Sequence, residues 1–188
     1  MYVNHTIPPG LQRVFIGIHV DKHSQQFINQ LLKPIKSSRQ DIRWVVENNR
    51  HLTLAFLGNI PISEVEILIQ LFDETYQQEA QFQYELSTVT RFPDCTGRII
   101  ALTGDPTAPL DNLFQATRKL LIRNKLEFDQ KEFRPHITLG KIKRAKQVKS
   151  TFDQQTHISL DITKITLYQS THTEFGSIYS ALKETQLS

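Results

Sequence analysis

Apolar residues recur along the chain with two periods, and the switches between them predict its elements. Residues 14–20 are apolar and rich in β-branched side chains, as in a buried strand. Asp21 stands where a helix cap belongs, and residues 22–36 carry Phe27, Leu31 and Leu32 as an apolar stripe. Pro34 is expected to end or kink that helix, because it lacks an N–H and crowds the preceding turn. Trp44-Val45-Val46 predicts a short strand, and residues 51–57 a clear one stopped by Gly58-Asn59. Pro61 and Ser63 open an amphipathic helix with Val65, Leu68, Ile69, Phe72 and Tyr76 on one face. Residues 82–92 alternate through Phe82, Tyr84 and Leu86, residues 93–97 are a turn, and residues 98–103 return as the second arm of a hairpin. A helix over 109–124 turns Leu113, Leu120 and Leu121 inward. Then come a strand over 133–142, a polar and basic loop over 143–156, one long alternating strand over 158–168 and a short closing strand over 176–182.

Strands and helices mix here without strict βαβ alternation, which predicts an α+β fold with antiparallel pairing. No break in composition cuts the 188 residues, so 1–188 reads as one domain. Each half carries a strand, a long helix and one His-x-Thr-Leu segment, a suggestion of duplication. Hydrophobic residues make up 39% and charged residues 22%, the balance of a soluble globular chain. A net charge of +3 and a pI near 9.0 allow an anionic substrate without demanding one. No apolar run reaches the length of a membrane span, and the first ten residues carry no signal pattern. Cys95, the sole cysteine, cannot form an internal disulfide and reads as structural. The expectation is a cytoplasmic monomer.

Two matched segments carry the chemistry: Arg50-His51-Leu52-Thr53-Leu54 and Pro135-His136-Ile137-Thr138-Leu139. Alternate side chains of a strand share a face, so His51 with Thr53, and His136 with Thr138, present an imidazole and a hydroxyl opposite a buried apolar face. If the strands sit side by side, all four groups converge. Imidazole titrates near neutrality, so one ring can take a proton from an attacking oxygen while the other gives one to a leaving oxygen. The hydroxyls can donate to phosphate oxygens, where charge builds. The set suits phosphodiester hydrolysis and calls for no metal or other cofactor.

These segments resemble the signatures of the two-histidine (2H) phosphoesterase superfamily, and within it the LigT-like bacterial RNA 2′,3′-cyclic phosphodiesterases, historically called 2′-5′ RNA ligases. Residues 13–18, 49–58, 134–139 and 165–170 with Tyr179 carry the likeness along nearly the whole chain. It implies a bilobal fold with pseudo-twofold symmetry, antiparallel sheets flanking a central cleft and helices on the outer faces. It implies hydrolysis of RNA 2′,3′-cyclic phosphate ends to 2′-phosphomonoesters, with His51 as acid, His136 as base, and Thr53 and Thr138 holding the phosphate. The other readings are an RNA-end binding module with little catalysis, or action on 2′-5′ linked oligonucleotides or small cyclic nucleotides. Family members often carry arginine five residues after the second histidine. Here Lys141 offers phosphate a point charge rather than a planar fork.

Further candidates are weaker. Phe56 could stack on a base, but strand parity places it with Leu52 and Leu54 on the core face. Arg50 and Arg134 could steer RNA, though parity turns them from the cleft. The run Lys141, Lys143, Arg144, Lys146 and Lys149 could follow a phosphate backbone or be a solvated surface. His19 and His23 have helical metal-pair spacing, but His19 belongs to a strand and no third ligand is evident. His5, His157 and His172 have no evident partners, and Ser170 lacks the surroundings of a nucleophile.

Overall fold

The computed structural model describes residues 7–143, 153–174 and 176–188. In chain order these form β1 (Leu11–His19), α1 (Lys22–Ser38), β2 (Ile42–Trp44), a 3₁₀ turn (Glu47–Asn49) and β3 (His51–Pro61). There follow α2 (Ile62–Tyr76), β4 (Phe82–Phe92), β5 (Ile99–Thr103), α3 (Ala108–Arg123) and β6 (His136–Ile142). The chain closes with β7 (Gln154–Ile162), β8 (Lys164–Thr173) and β9 (Gly176–Gln186). The strand order is β7-β4-β5-β6-β3-β1-β8-β9, with β2 added on β6 and every pairing antiparallel.

That order is a palindrome about the β6–β3 contact. β1-α1-β3 in one lobe answers β5-α3-β6 in the other, and each helix packs beneath the opposite lobe: α1 on β7, α3 on β3. The lobes join at Leu52 opposite Ile137, both 0% exposed. Beyond that pair β2 takes over the edge of β6, where Val45 N–H donates to Leu139 O. On the other side Asp129 N–H donates to Phe56 O. The strands therefore splay on both sides of one junction, which opens a cleft on the sheet face away from the helices. The apolar core lies on the helix face and runs through both lobes, from Ile16 and Ile18 to Leu86 and Leu102.

The α+β class, the antiparallel pairing and the outer helices are as the sequence predicts. Several local expectations are corrected. α1 passes Pro34 and ends at Ser38, because Ile35 beyond the proline still packs on the core. Its inward residues are Ser24, Gln25, Ile28 and Leu32, whereas Phe27 is 43% exposed beside the His23 ring. β3 continues through Gly58, whose φ of +74° suits glycine, to Pro61. The stretch 158–168 is two strands: burial falls on Ile158, Leu160 and Ile162, then changes parity to Ile165 and Leu167 as the chain crosses from β4 in one lobe to β1 in the other. Cys95 is exposed in the β4–β5 turn rather than packed inside. Among the described residues no helix is long and apolar enough to cross a membrane.

Candidate active site

The junction builds the site. Antiparallel pairing of Leu52 with Ile137 sets His51 across from Thr138 and Thr53 across from His136. Burial alternates accordingly: Leu52, Leu54, Ile137 and Leu139 are buried, and the four polar residues between them are half-buried on the cleft face. The histidines occupy one diagonal of this patch and the threonines the other. Gly17, opposite Thr53 on β1, permits the approach: a Cβ there would lie 2.8 Å from Leu52 O and 3.6 Å from Cδ2 of His51.

A bulge in each signature re-aims the residues beyond it. In the β5–β6 pairing Ala101 faces Thr138 but Ile100 faces Gly140, so Leu139 is an extra residue. β5 has no insertion and serves as a ruler: Thr103, Ala101 and Ile99 share the cleft face, and opposite them stand His136, Thr138 and Lys141. Lys141 therefore shares the face of His136. On β1, His19, Gly17 and Phe15 are the same ruler for His51, Thr53 and Phe56. This overturns the core assignment of Phe56. The extra residue Leu54 turns it to the cleft face, 36% exposed, with the Arg13 guanidinium 4.7 Å from its ring centre. Phe56 and Lys141, each five residues past a catalytic candidate, are thus related positions.

The two imidazoles are held alike. Nδ1 of His51 lies 2.8 Å from Asn49 O, and Nδ1 of His136 lies 2.8 Å from Arg134 O. A carbonyl only accepts, so Nδ1 carries the hydrogen in both rings and Nε2 is left to exchange protons. Asn49 is tied in turn to β9, its side-chain amide donating to Ser177 O at 2.6 Å. The ring neighbours differ between the lobes. His51 meets Phe15 at 4.5 Å and the edge of Tyr179 at 5.2 Å; His136 stacks on Phe92 at 3.9 Å. Burial lowers the pKa of His51 to about 4, helped by the charges of His136 and His19 and opposed by the Asn49 carbonyl. Burial also lowers that of His136, with Arg134 adding to the effect and its own carbonyl opposing it. Without a bound anion, both rings are neutral at neutral pH.

The remaining candidates separate clearly. Arg50 lies inside, 1% exposed, its Nη1 donating to Gln25 Oε1 at 2.7 Å and Asn29 Oδ1 at 2.9 Å, so it cannot meet RNA. Arg134 is exposed, reaching Pro93 O at 2.6 Å with its guanidinium 5.0 Å from the Phe92 ring. His19 is on β1 and His23 on α1, and no group of three metal-ligating side chains gathers among the described residues. His157 lies 3.3 Å from Glu85, and His172 lies 3.1 Å from Ser177 Oγ. Ser170 is buried opposite Tyr179. His5, Arg144, Lys146 and Lys149 lie outside the described residues. Sequence reasoning missed the aromatic walls Phe15 and Phe92 and the carbonyls of Asn49 and Arg134. Phe15 could have been found from its parity with Gly17 and His19 on β1.

A family model described as the 2′-5′ RNA ligase superfamily matches residues 20–174. The RNA 2′,3′-cyclic phosphodiesterase of Thermotoga maritima is 27% identical over 93% of this chain and 95% of its own. A Thermus thermophilus protein of known structure superposes with a TM-score of 0.81 at 20% identity, over 93% of this chain and 97% of that one. E. coli LigT in complex with ATP gives a TM-score of 0.74 at 25% identity, over 95% and 99%.

Proposed function

The chain belongs to the 2′-5′ RNA ligase superfamily, and on that premise we propose that it hydrolyses RNA 2′,3′-cyclic phosphate ends to 2′-phosphomonoesters by acid–base catalysis, without a metal. The observation that carries the reading is the crossed arrangement of the four groups. In-line displacement at phosphorus needs the attacking and leaving oxygens on opposite sides. Histidines on one diagonal of the patch flank a phosphate in that way, and hydroxyls on the other diagonal reach its non-bridging oxygens. Nε2 of His136 takes a proton from water as its oxygen attacks phosphorus. The bond from phosphorus to O3′ breaks, and Nε2–H of His51 gives its proton to O3′. Thr53 and Thr138 donate to the anion as charge builds. The cyclic phosphodiesterase relative supports the substrate class, and the likeness to LigT with ATP supports a nucleotide in the cleft. The division of acid from base rests on the family likeness.

The test is an oligoribonucleotide ending in a 2′,3′-cyclic phosphate, incubated with the protein and EDTA. The expected product is a 2′-phosphate end. His51→Ala and His136→Ala should each slow its release by about 10²–10⁴-fold. Both variants near wild-type rate would sink the reading, and turnover abolished by EDTA would sink its metal-free part.

A further inference from the structure

The two histidines share a feature that the His-x-Thr-Leu pattern does not carry. The residue two positions before each of them is used twice. Its backbone carbonyl accepts from Nδ1 of the ring, and its side chain donates to a backbone carbonyl beside the aromatic wall of that ring. In the first lobe Asn49 Nδ2 reaches Ser177 O at 2.6 Å, and Tyr179, two residues on along β9, sets its edge against His51 at 5.2 Å. In the second lobe Arg134 Nη2 reaches Pro93 O at 2.6 Å, and Phe92, the residue before that proline, stacks on His136 at 3.9 Å. Each lobe thus closes a circuit of contacts: ring, carbonyl, side chain, wall and ring again. Neither imidazole can turn about its χ2 without giving up the carbonyl or displacing the wall.

The two carbonyls are stiffened by unlike means. Asn49 ends the 3₁₀ turn, where Glu47 O accepts from Arg50 N–H at 3.0 Å and from Gln25 Nε2 of α1 at 2.9 Å. Arg134 precedes Pro135, which is buried and restricts the residue before it to extended backbone. A carbonyl held in this way selects the Nδ1–H tautomer and leaves Nε2 to the cleft. The side-chain ties add what the backbone cannot: they fix the distance from ring to wall. Asn and Arg share little beyond N–H donors, so the likeness between the lobes breaks off at this position in the sequence and continues in the structure. Resting on the phosphodiesterase reading above, we propose that Asn49 and Arg134 are matched positioning residues, each locking its histidine and the aromatic ring beside it into one geometry for attack on the phosphate.

Asn49→Ala and Arg134→Ala test this, read by steady-state kinetics on a cyclic-phosphate-ended oligoribonucleotide and by ¹⁵N NMR of the histidine rings at neutral pH. The chain has seven histidines, and His51→Gln and His136→Gln assign the two that matter. In wild type both rings should show one neutral tautomer, with the hydrogen on Nδ1. Each alanine variant should populate the other tautomer in its own ring and leave the opposite ring unchanged. The kcat of each should fall about tenfold, the effect of roughly half an ångström of misplacement, with KM within about twofold. Arg134→Lys should recover most of that loss, because an ammonium can donate to the same carbonyl. Arg134 is exposed, so Arg134→Ala decides the matter even if Asn49→Ala does not fold. Wild-type kcat with unmoved ring signals in a folded variant overturns the proposal. So does a loss confined to KM that fades with salt, the mark of a cation that steers RNA and positions nothing. If wild type shows no turnover, the phosphodiesterase reading fails, and the ring tautomers still decide whether these residues position the histidines.

Discussion

Replacing Gly17 with alanine should slow the reaction well beyond its effect on folding. The new Cβ would lie 2.8 Å from Leu52 O and 3.6 Å from Cδ2 of His51. Relaxed carbon–oxygen contacts between strands lie at about 3.3–3.6 Å, so β1 and β3 must part by roughly 0.5 Å. The obstacle is backbone, so no side chain can swing aside. Leu52 also joins the lobes through Ile137, so the shift moves His51 relative to His136. Overpacking of this kind costs about 1–3 kcal/mol, and a chain of this length loses roughly 2–4 °C of Tm per kcal/mol. A 1 Å misplacement of a catalytic group costs about 10²-fold, so half of that predicts about a tenfold fall in kcat. Steady-state kinetics on a cyclic-phosphate-ended oligoribonucleotide, with thermal unfolding alongside, would measure both effects. Gly10→Ala is the control: Gly10 has φ +82° and nothing within 4 Å of a Cβ, so alanine should strain a remote turn and lower Tm with kcat intact. Wild-type kcat in Gly17→Ala would refute the idea that this strand spacing sets the catalytic geometry.

The lowered pKa values of both histidines predict a bell-shaped pH profile of kcat/KM centred below 6.5, and a kcat profile shifted upward because bound phosphate favours both imidazolium forms; coincident profiles centred above 7 would contradict it. The same shift acts on folding. His51 titrates near 6.5 when unfolded and near 4 when folded, so its share of stability is full above 6.5 and lost as pH falls toward 4. Unfolding at pH 7.5 and 5 should therefore show a larger loss in wild type than in His51→Gln. If His51 protonates O3′, a phosphodiester with an acidic phenol leaving group, which needs no proton, should restore most of the rate of His51→Ala and little of that of His136→Ala; equal rescue would undo the assignment. Arg50→Ala should cost about 3–5 kcal/mol in denaturant unfolding, since it empties a buried site and strands the amide oxygens of Gln25 and Asn29, and Arg50→Met should cost clearly less.

Strand parity was enough to read the four central residues because each signature holds strict alternation from histidine to leucine. It failed one residue later. Leu54 and Leu139 are extra residues against β1 and β5, and a bulge is defined by the partner strand, which local sequence does not reveal. Phe56 was therefore misplaced by the same rule that placed Thr53. The expectation of a helix end at Pro34 failed for a related reason: local propensity is a weak prior against packing, and Ile35 packs. The break at Thr163 was legible in principle, since the apolar positions change from even to odd there. Arg50 and Arg134 show the limit of motif symmetry. Each precedes a histidine, yet one is sealed beneath α1 and the other is exposed, because only the first has Gln25 and Asn29 above it.

Two segments so alike can divide acid from base only through residues that are not repeated. The shared part is the carbonyl two positions back, which sets the same tautomer in both rings. The unshared part is the wall. His51 is enclosed by Phe15 and Tyr179 and faces His19 across β1, so a proton on its ring meets both desolvation and like charge. His136 lies flat on Phe92, with Arg134 as its cationic neighbour. An imidazolium destabilised by burial is the stronger acid and transfers its proton more readily to a departing oxygen, although fewer molecules hold that proton at a given pH. The anionic substrate corrects the shortage by favouring the charged ring only when a phosphate is present. In the proposed roles, then, burial of His51 makes its proton available chiefly in the complex, where it is used, and keeps the ring neutral in the free protein.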